Sequence, residues 1–409
     1  MSEWKKCRLG DLTSLVCSGG TPRTTNSDYY EGGSIPWLNT KEVSFCRINS
    51  TEKCITESGL SSSSAKWVPA NTVVVAMYGA TAGQVAITRI PLTTNQACCN
   101  LVIDEGKANA DFVYYSLVNS YRELSLLANG AAQQNLNAQV IKEFVVQLPD
   151  LPTQRRIAAV LGALDDKIEN NRKICENLEA QAQALFKSWF VDFEPWGGKM
   201  PEEWKKGKLG DLAECNPFRR LPKGVDARCV EMADLVTNGA FPSGWSTKKY
   251  TGGMKFRNGD TIVARITPCF ENGKAAFINF LEEDEVGFGS TEYVVISSCS
   301  AAPGGLFYSL VKSPDFITYA KSRMVGSSGR QRFNAEDVAS FPLTIAPNNV
   351  YLELAPYYES IMEKIAQCGK ESRALAEMRD ALLPQLMSGR LRVDATACQG
   401  EIDVGKVEI

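Results

Sequence analysis

The chain of 409 residues contains an internal duplication that spans its two halves. Residues 3–12 read Glu-Trp-Lys-Lys-Cys-Arg-Leu-Gly-Asp-Leu, and residues 203–212 read Glu-Trp-Lys-Lys-Gly-Lys-Leu-Gly-Asp-Leu. Near the end of each half, Asn137-Ala138 recurs as Asn334-Ala335. A period this long is unlike a solenoid, whose repeats run at about 20–50 residues. It predicts two similar domains and a nearly two-fold partner, of which duplex DNA is the leading candidate. The alternative is a purely architectural duplication.

Composition indicates a globular protein that stays in the cytosol. A hydrophobic content of 44% is enough to build cores for two to four domains. No apolar run approaches the ~20 residues of a membrane span, and the polar start Met1–Lys6 does not resemble a signal peptide. The net charge of −3 neither favours nor excludes nucleic acid, because a basic face can be balanced elsewhere.

The residue types needed for most enzyme chemistry are missing. The sequence contains no histidine, which removes the commonest general base and nearly all ordinary zinc sites. Its 13 cysteines are odd in number and scattered, so reduced and mostly buried thiols are expected. No G-x-x-x-x-G-K-S/T phosphate loop is present. A catalytic role is therefore still possible, but the residues that most enzymes use for it are missing.

Each half divides into a strand-rich block and a long helical region. Residues 1–150 and 199–347 contain short β-branched runs separated by glycine-rich loops. Residues 151–198 and 348–393 have helical composition, and 394–409 form a tail. The fold class predicted is therefore α+β, with two similar α/β domains separated by two long helices.

The two helices carry matching apolar stripes at steps of three and four residues. The first is predicted from Thr153, as N-cap, to about Trp189. The second is predicted from about Leu352 to Met387, with Pro356 in its first turn and Pro384 kinking or ending it. A helix of ~35 residues rises about 50 Å, longer than a single domain core requires. An antiparallel coiled coil is expected, with Asn170, Asn171 and Ser372 helping to fix its register. The alternative is two independent helices, each capping its own domain.

Five segments in a fixed order carry a family resemblance. They are Ser18–Arg23 followed by Ile35–Leu38, then Leu148–Ala158, Leu185–Phe193, Arg265–Lys274 and Leu386–Val393. Together they resemble the specificity subunits of Type I restriction–modification systems over residues 1–393. The tail lies outside the resemblance.

The resemblance implies a function and a set of partners. In that family each of two target recognition domains reads one half of a split DNA site, and the helical regions form a spacer. The subunit docks two methyltransferase subunits, which carry S-adenosylmethionine, and through them restriction subunits that use ATP and Mg²⁺. In that family the specificity subunit performs no chemistry, so this chain would bind no cofactor or metal and catalyse no reaction itself.

Candidate DNA-binding residues are polar or basic side chains on predicted loops, because Arg and Lys suit guanine and phosphate while Asn and Gln suit adenine. In the first domain they are Thr21, Arg23, Thr24, Asn26, Tyr78, Thr81, Asn95, Gln96, Gln133, Gln134 and Asn135. In the second domain they are Arg219, Arg220, Lys223, Arg265, Thr267, Asn272, Lys274, Arg330, Gln331 and Arg332. We align Arg219–Lys223 roughly with the first glycine-rich loop. Because the two sets differ in chemistry, the target is predicted not to be a palindrome.

Two other interpretations remain open from the sequence. One is a stand-alone nuclease or methyltransferase, which the absent histidine and cofactor motifs disfavour. The other is an adaptor whose repeated domains bind proteins. Asn216-Pro217-Phe218 superficially resembles an amino-methyltransferase motif but is interpreted as a turn. The aromatic cluster Trp189, Phe190, Phe193 and Trp196 could stack on bases, although a packed junction with the second domain is favoured.

Overall fold

The computed structural model describes residues 4–128 and 136–393. The chain separates into two compact units. Unit 1 comprises Met1–Asp165 with Met378–Ile409, and unit 2 comprises Asp166–Glu377. Both units mix helices and sheets, and the α+β prediction is confirmed.

The described part of unit 1 contains three sheets. Its strands are β1 (Lys5–Arg8), β2 (Thr13–Ser18), β3 (Ile35–Leu38), β4 (Cys46–Ile48), β5 (Lys53–Ile55), β6 (Trp67–Val68), β7 (Val73–Ala76), β8 (Val85–Thr88), β9 (Leu92–Thr94), β10 (Cys98–Ile103) and β11 (Val145–Leu148). Its helices, apart from the long ones, are α1 (Glu57–Ser61), α2 (Ala110–Asn119), α3 (Tyr121–Ala128) and α4 (Ala138–Glu143). The sheets have the orders β1-β11, β2-β10-β7-β8-β4 and β5-β3-β9-β6.

Unit 2 repeats this plan. Its strands are β12 (Lys205–Lys208), β13 (Ala213–Cys215), β14 (Asp226–Val230), β15 (Ser246–Lys249), β16 (Met254–Phe256), β17 (Thr261–Ala264), β18 (Ala275–Phe277), β19 (Gly287–Gly289), β20 (Tyr293–Ser298) and β21 (Pro342–Ile345). The sheets have the orders β12-β21, β13-β20-β17-β18 and β15-β14-β19-β16. The shorter helices are α6 (Gly304–Val311), α7 (Pro314–Arg323) and α8 (Ala335–Ala339).

Equivalent hydrogen bonds show that the duplication is structural. The backbone N–H of Leu9 donates to the carbonyl of Phe144, and that of Leu209 donates to Phe341, both at 2.9 Å. Asn137 and Asn334 each cap the short helix that follows them. The two similar domains predicted from the repeat are therefore present.

The central strand of each unit is buried on both faces, which explains its continuous β-branched composition. In β7, Val73 and Val75 belong to the cluster that includes α2, whereas Val74 and Ala76 belong to a separate cluster on the opposite face. In β17, Val263 and Ile262 divide between two clusters in the same way. A strand with two apolar faces holds the loops at its ends in fixed positions.

The first long helix, α5 (Leu151–Phe190), begins earlier than the sequence predicted. Its N-cap is Asp150, whose carboxylate accepts a 3.0 Å hydrogen bond from the backbone N–H of Thr153. The prediction of Thr153 as the N-cap is therefore wrong. Pro152 lies in the first turn, where its missing N–H costs no helical hydrogen bond.

The second long helix, α9 (Asn348–Met387), contains both of its prolines. Pro356 was predicted to lie in the first turn, but the helix begins eight residues before it. Its missing N–H deprives the carbonyl of Leu352 of a helical partner, and Leu352 is 64% exposed, so that water can replace the bond. The helix also continues three residues beyond Pro384, which therefore does not end it.

Within unit 2 the two long helices pack antiparallel. The thiol of Cys175 donates to the carbonyl of Ile365 at 3.8 Å, and Tyr358 donates to the carbonyl of Ala182 at 3.0 Å. A residue further along α5 therefore contacts a residue earlier in α9, so the two helices run in opposite directions. Asn171 is 1% exposed and bonds Glu371 at 2.8 Å, which makes it a buried polar contact between the two helices. The predicted antiparallel helix pair is confirmed, and the interpretation of two independent helices is wrong.

None of the helices in the described part of the chain is both long and apolar enough to cross a membrane.

Candidate nucleic-acid interface

In unit 1 the candidate residues collect where two parallel strands end. Strands β3 and β9 run parallel, with Leu38 opposite Thr94. Asn39 follows the first strand directly, and Asn95 and Gln96 follow the second. In α/β sheets the carboxyl ends of parallel strands are a common place for ligand contacts. We call the residues at this position the recognition edge of unit 1.

The first glycine-rich loop folds over this edge. The N–H of Gly20 donates to the carbonyl of Thr94 at 2.9 Å, and the hydroxyl of Thr21 donates to the amide oxygen of Gln96. Gly19 allows the close approach, because a Cβ added there would lie 1.8 Å from the Thr94 carbonyl oxygen. The loop and the strand ends together enclose a cleft of about 680 Å³, lined by Thr21, Thr24, Ser27, Tyr30, Glu31, Trp37, Asn39, Lys53, Cys54, Asn95 and Gln96.

Tyr78 and Thr81 lie at the same edge, on the loop after β7. The N–H of Met77 donates to the carbonyl of Ala97 at 2.8 Å, which places Tyr78 beside the turn that joins β9 to β10. The hydroxyl of Thr81 donates to the carbonyl of Thr40 at 3.1 Å. The Tyr78 side chain remains 39% exposed.

The other predicted residues of unit 1 have different surroundings. Asn95 is only 7% exposed, and its amide oxygen accepts the N–H of Ala97, so it holds the turn rather than facing solvent. Asn26 accepts the N–H of Asp28 at 3.2 Å and caps a short helical turn. Arg23 is exposed. The predicted residues Gln133, Gln134 and Asn135 lie outside the described residues.

Unit 2 has an equivalent recognition edge. Strands β14 and β19 run parallel, with Val230 opposite Gly289. The N–H of Arg265 donates to the carbonyl of Glu292 at 2.9 Å, which matches the bond between Met77 and Ala97 in unit 1. Arg265 therefore occupies the place of Met77, and Glu292 that of Ala97.

The structure brings two predicted segments of unit 2 together, although they are far apart in sequence. The N–H of Gln331 donates to the hydroxyl of Thr267, and the N–H of Thr267 donates to the carbonyl of Gln331, both at 3.0 Å. Arg332 forms antiparallel bridges with Ile266 and with Val325. Residues 265–267 and 330–332 thus form one continuous surface, with the Arg330 side chain exposed.

Glu292 lies at the centre of this surface, although it is not among the residues predicted from the sequence. Its carboxylate accepts hydrogen bonds from Arg332 at 2.8–2.9 Å and one from Arg265 at 3.3 Å. The Arg332 guanidinium is the largest influence that lowers the pKa of this carboxyl group. No local motif marks this acid in the sequence, and its counterpart in unit 1 is the uncharged Ala97.

Asn272 and Lys274 follow β17 in a turn. Asn272 is exposed, while the ammonium of Lys274 donates to the carbonyl of Met232 at 2.6 Å. Because Met232 comes shortly after β14, this lysine lies near the recognition edge. Its ammonium is held there by the hydrogen bond to Met232.

The prediction that Arg219, Arg220 and Lys223 correspond to the first glycine-rich loop is wrong. The guanidinium of Arg219 is 9% exposed and lies 2.7 Å from Asp260, at the amino end of β17. It also bonds Ser297, five residues along β20 from Glu292, a strand length of about 17 Å. Arg220 and Lys223 are exposed in the same segment.

A backbone turn is the cause of this difference. Asn216 has φ +57°, and its amide oxygen accepts the N–H of Val295, so the chain leaves the sheet at Asn216. The predicted turn at Asn216-Pro217-Phe218 is confirmed. In unit 1 the strand continues to Ser18, and its loop therefore reaches the opposite edge.

The aromatic cluster near the end of α5 is packed inside unit 2. The rings of Trp196 and Trp204 are 4.6 Å apart, and Phe190 stacks on Tyr351 at 5.8 Å. The predicted junction between helix and second domain is confirmed, and the interpretation of a base-stacking surface is wrong.

The two recognition edges share a backbone plan but differ in charge. Unit 1 presents hydroxyl and amide groups from Thr21, Thr24, Asn39 and Gln96, with Lys53 in the same cleft. Unit 2 presents guanidinium groups around one carboxylate. Such side chains can donate and accept hydrogen bonds at base edges, and the cations can also contact phosphates.

Comparison with known proteins identifies relatives of nearly full length. Residues 1–180 match the family described as the Type I restriction modification DNA specificity domain. The Type I restriction enzyme MjaIX specificity subunit of Methanocaldococcus jannaschii is 27% identical, over 96% of this chain and 94% of the relative. The HindI specificity subunit of Haemophilus influenzae is 21% identical, over 96% of this chain and 100% of the relative.

A solved structure has the same fold. The Type I restriction–modification S subunit from M. genitalium superposes with a TM-score of 0.57 at 17% sequence identity. The match covers 94% of this chain and 96% of that chain.

Proposed function

Because the chain belongs to the specificity subunits of Type I restriction–modification systems, we propose that each of its two units reads one half of a two-part DNA target. The chain is the DNA-recognition component of such a system and is not itself an enzyme.

One observation carries the proposal: the same backbone edge occurs twice with different side chains. In each unit parallel strands end beside a backbone hydrogen bond of the same type, Met77 to Ala97 or Arg265 to Glu292. A shared scaffold presents the side chains in the same way, whereas the different side chains select different bases. The target is therefore proposed to be asymmetric.

The individual contacts divide between bases and phosphates. In unit 1, Thr21, Thr24 and Gln96 offer neutral donors and acceptors, which suit base edges. Arg23 is exposed on the same loop and suits phosphate. In unit 2 the exposed Arg330 has the corresponding role, while Arg219 is excluded because it is buried against Asp260.

The long helices are proposed to fix the distance between the two half-sites. Half-sites read on one face of B-DNA lie roughly one helical turn apart, about 34 Å between centres. A four-residue change in a helix alters its length by about 6 Å. Adding one turn to both helices, within 165–182 and its antiparallel partner segment, is expected to lengthen the unread spacer by one or two base pairs.

The partners proposed are two methyltransferase subunits and, through them, restriction subunits. S-adenosylmethionine, ATP and Mg²⁺ are assigned to those subunits rather than to this chain. The coarser statement, that the chain works within a Type I restriction–modification complex, follows from its family. Access to chromosomal DNA makes the cytoplasm the compartment we propose.

The experiment is a gel shift with duplex DNA of random sequence, using the chain alone and in complex with its methyltransferase partner. We expect the complex to enrich a motif of two short elements separated by a fixed gap. Binding without any sequence preference would favour the protein-binding adaptor. Methyl transfer from S-adenosylmethionine by the chain alone would favour the stand-alone enzyme.

A further inference from the structure

We infer that Arg332 reads a guanine in the major groove and that Glu292 is the positioning residue that orients it. The inference rests on the proposed function and assigns a base class to the recognition edge of unit 2. It is carried by the geometry of the Arg265–Glu292–Arg332 cluster.

The guanidinium of Arg332 uses some of its N–H donors within the protein and keeps others available for a base. A guanidinium has five N–H donors. The Nε and Nη2 atoms of Arg332 each donate to the Glu292 carboxylate at 2.8–2.9 Å, and Nη1 donates to the carbonyl of Arg330 at 3.0 Å. Within the described residues, two N–H groups remain, one on each terminal nitrogen. A pair of donors on adjacent nitrogens matches the O6 and N7 acceptors of guanine.

The backbone beneath Arg332 is fixed independently of its side chain. Arg332 and Val325 exchange two backbone hydrogen bonds of 2.9 Å, and Phe333 donates to the carbonyl of Arg265 at 3.3 Å. The side chain of Arg332 is nevertheless 39% exposed. An arginine that is held at both its backbone and its carboxylate partner loses little rotamer freedom on binding DNA.

The carboxylate also makes it possible for two arginines to lie close together. Arg265 and Arg332 carry the same charge, and Glu292 bridges both with oxygen–nitrogen distances of 2.8–3.3 Å. Its pKa is lowered by these partners, so it stays ionised at neutral pH. Without it the two guanidinium groups would repel each other and lose their common orientation.

In the described part of unit 1, the equivalent backbone positions carry uncharged residues. The hydrogen bond that places Arg265 against Glu292 is replaced in unit 1 by one between Met77 and Ala97, neither of which carries charge. The guanine assigned to Arg332 therefore belongs to the half of the target that unit 2 reads.

The test is methylation mapping in cells that express the full chain with its methyltransferase partner. The variants are Arg332→Gln, Glu292→Gln and Arg332→Lys. The matched control is Arg228→Gln, since Arg228 also bonds two carboxylates, Glu282 at 2.7 Å and Glu285 at 3.4 Å, but lies within β14 rather than after its carboxyl end.

We expect Arg332→Gln and Glu292→Gln to reduce the preference for guanine at one position of one half-site by about ten-fold or more. Arg332→Lys keeps the charge but loses the paired donors, so it is expected to keep methylation while weakening the same preference. Arg332→Lys therefore still tests the inference if Arg332→Gln does not fold. The control is expected to leave the motif unchanged.

The outcomes separate the inference from the proposed function. If the wild-type complex modifies no two-part motif, the proposed function fails and the inference fails with it. If the wild-type motif has two parts and either the Arg332 variants or Glu292→Gln leave every base preference intact, the inference alone is overturned.

Discussion

The hydroxyl of Tyr115 donates a 2.6 Å hydrogen bond to the carboxylate of Asp165. The same carboxylate accepts a 2.8 Å bond from the guanidinium of Arg379. Tyr115 lies on α2, Asp165 on α5 and Arg379 on α9, so a single acid joins the domain of unit 1 to both long helices. Asp165 is 8% exposed, and these bonds are therefore little screened by water.

Replacement of Asp165 by alanine is expected to lower the local stability of unit 1 by about 3 kcal/mol, because Tyr115 and Arg379 both lose a largely buried partner. Native-state hydrogen exchange of the α2 amides measures this change. Glu176→Ala is the control, since Glu176 bonds Arg172 at an exposed position, with an expected effect below about 1 kcal/mol. A loss below about 1 kcal/mol for Asp165→Ala would show that the acid is not a structural link.

Asn171→Leu is expected to stabilise unit 2 by about 1 kcal/mol, because the amide oxygen of Asn171 is buried without a hydrogen-bond partner among the described residues. The predicted cost is weaker specification of the helix register. Thermal unfolding measures the first effect as a rise in Tm. Asn170→Leu, at an exposed neighbouring position, serves as the control and should change stability by no more than about 0.5 kcal/mol. A lower Tm for Asn171→Leu than for the wild type contradicts this account.

Two buried or paired carboxyl groups are expected to give opposite pH dependence. Burial raises the pKa of Glu179 above its ordinary value of 4.5, although it accepts bonds from Ala240 and Tyr308. A raised pKa means that the folded state takes up the proton first, so stability from this group increases as pH falls toward 4.5. Unfolding measured from pH 7 to 5 should therefore show wild type gaining stability relative to Glu179→Gln.

The stability contributed by Glu292 changes with pH in the opposite direction to that of Glu179. Arg332 lowers its pKa below 4.5, so its stabilising contribution is present above that value and lost as pH falls through the folded-state pKa. Wild type should therefore lose stability relative to Glu292→Gln below about pH 4.5. Differences of the same sign for both variants would show that the two environments have been assigned incorrectly.

Arg330→Ala is expected to weaken DNA binding about equally for all sequences, because an exposed arginine at the edge contacts phosphate. The slope of log K against log salt should become shallower by about 0.9, the loss of one phosphate contact. Titrations at several salt concentrations measure it. Arg257→Ala is the matched control, since Arg257 is exposed but precedes β17 at its amino end. An unchanged slope for Arg330→Ala would exclude the phosphate contact.

The sequence predicts the architecture better than it predicts the site. The repeated segments and the apolar stripes can be recognised in the sequence itself, and they correctly indicate two domains and an antiparallel helix pair. The contact between Thr21 and Gln96 depends on which distant strands pair, and that information is not local. Alignment of the two halves also fails where their loops differ. The left-handed conformation of Asn216 sends Arg219 to the opposite end of β20 from Glu292, and no spacing in the sequence reveals this.

The most direct measurement maps methylated sites in cells carrying the chain and its methyltransferase partner, with wild-type protein and two double variants. Thr24→Ala with Gln96→Ala changes the edge of unit 1, and Gln331→Ala with Arg332→Gln changes that of unit 2. The account predicts that the wild type modifies two short elements at a fixed spacing, that each double variant relaxes a different element, and that the spacing is unchanged. Relaxation of the same element by both variants, or a wild type without a two-part motif, would contradict it.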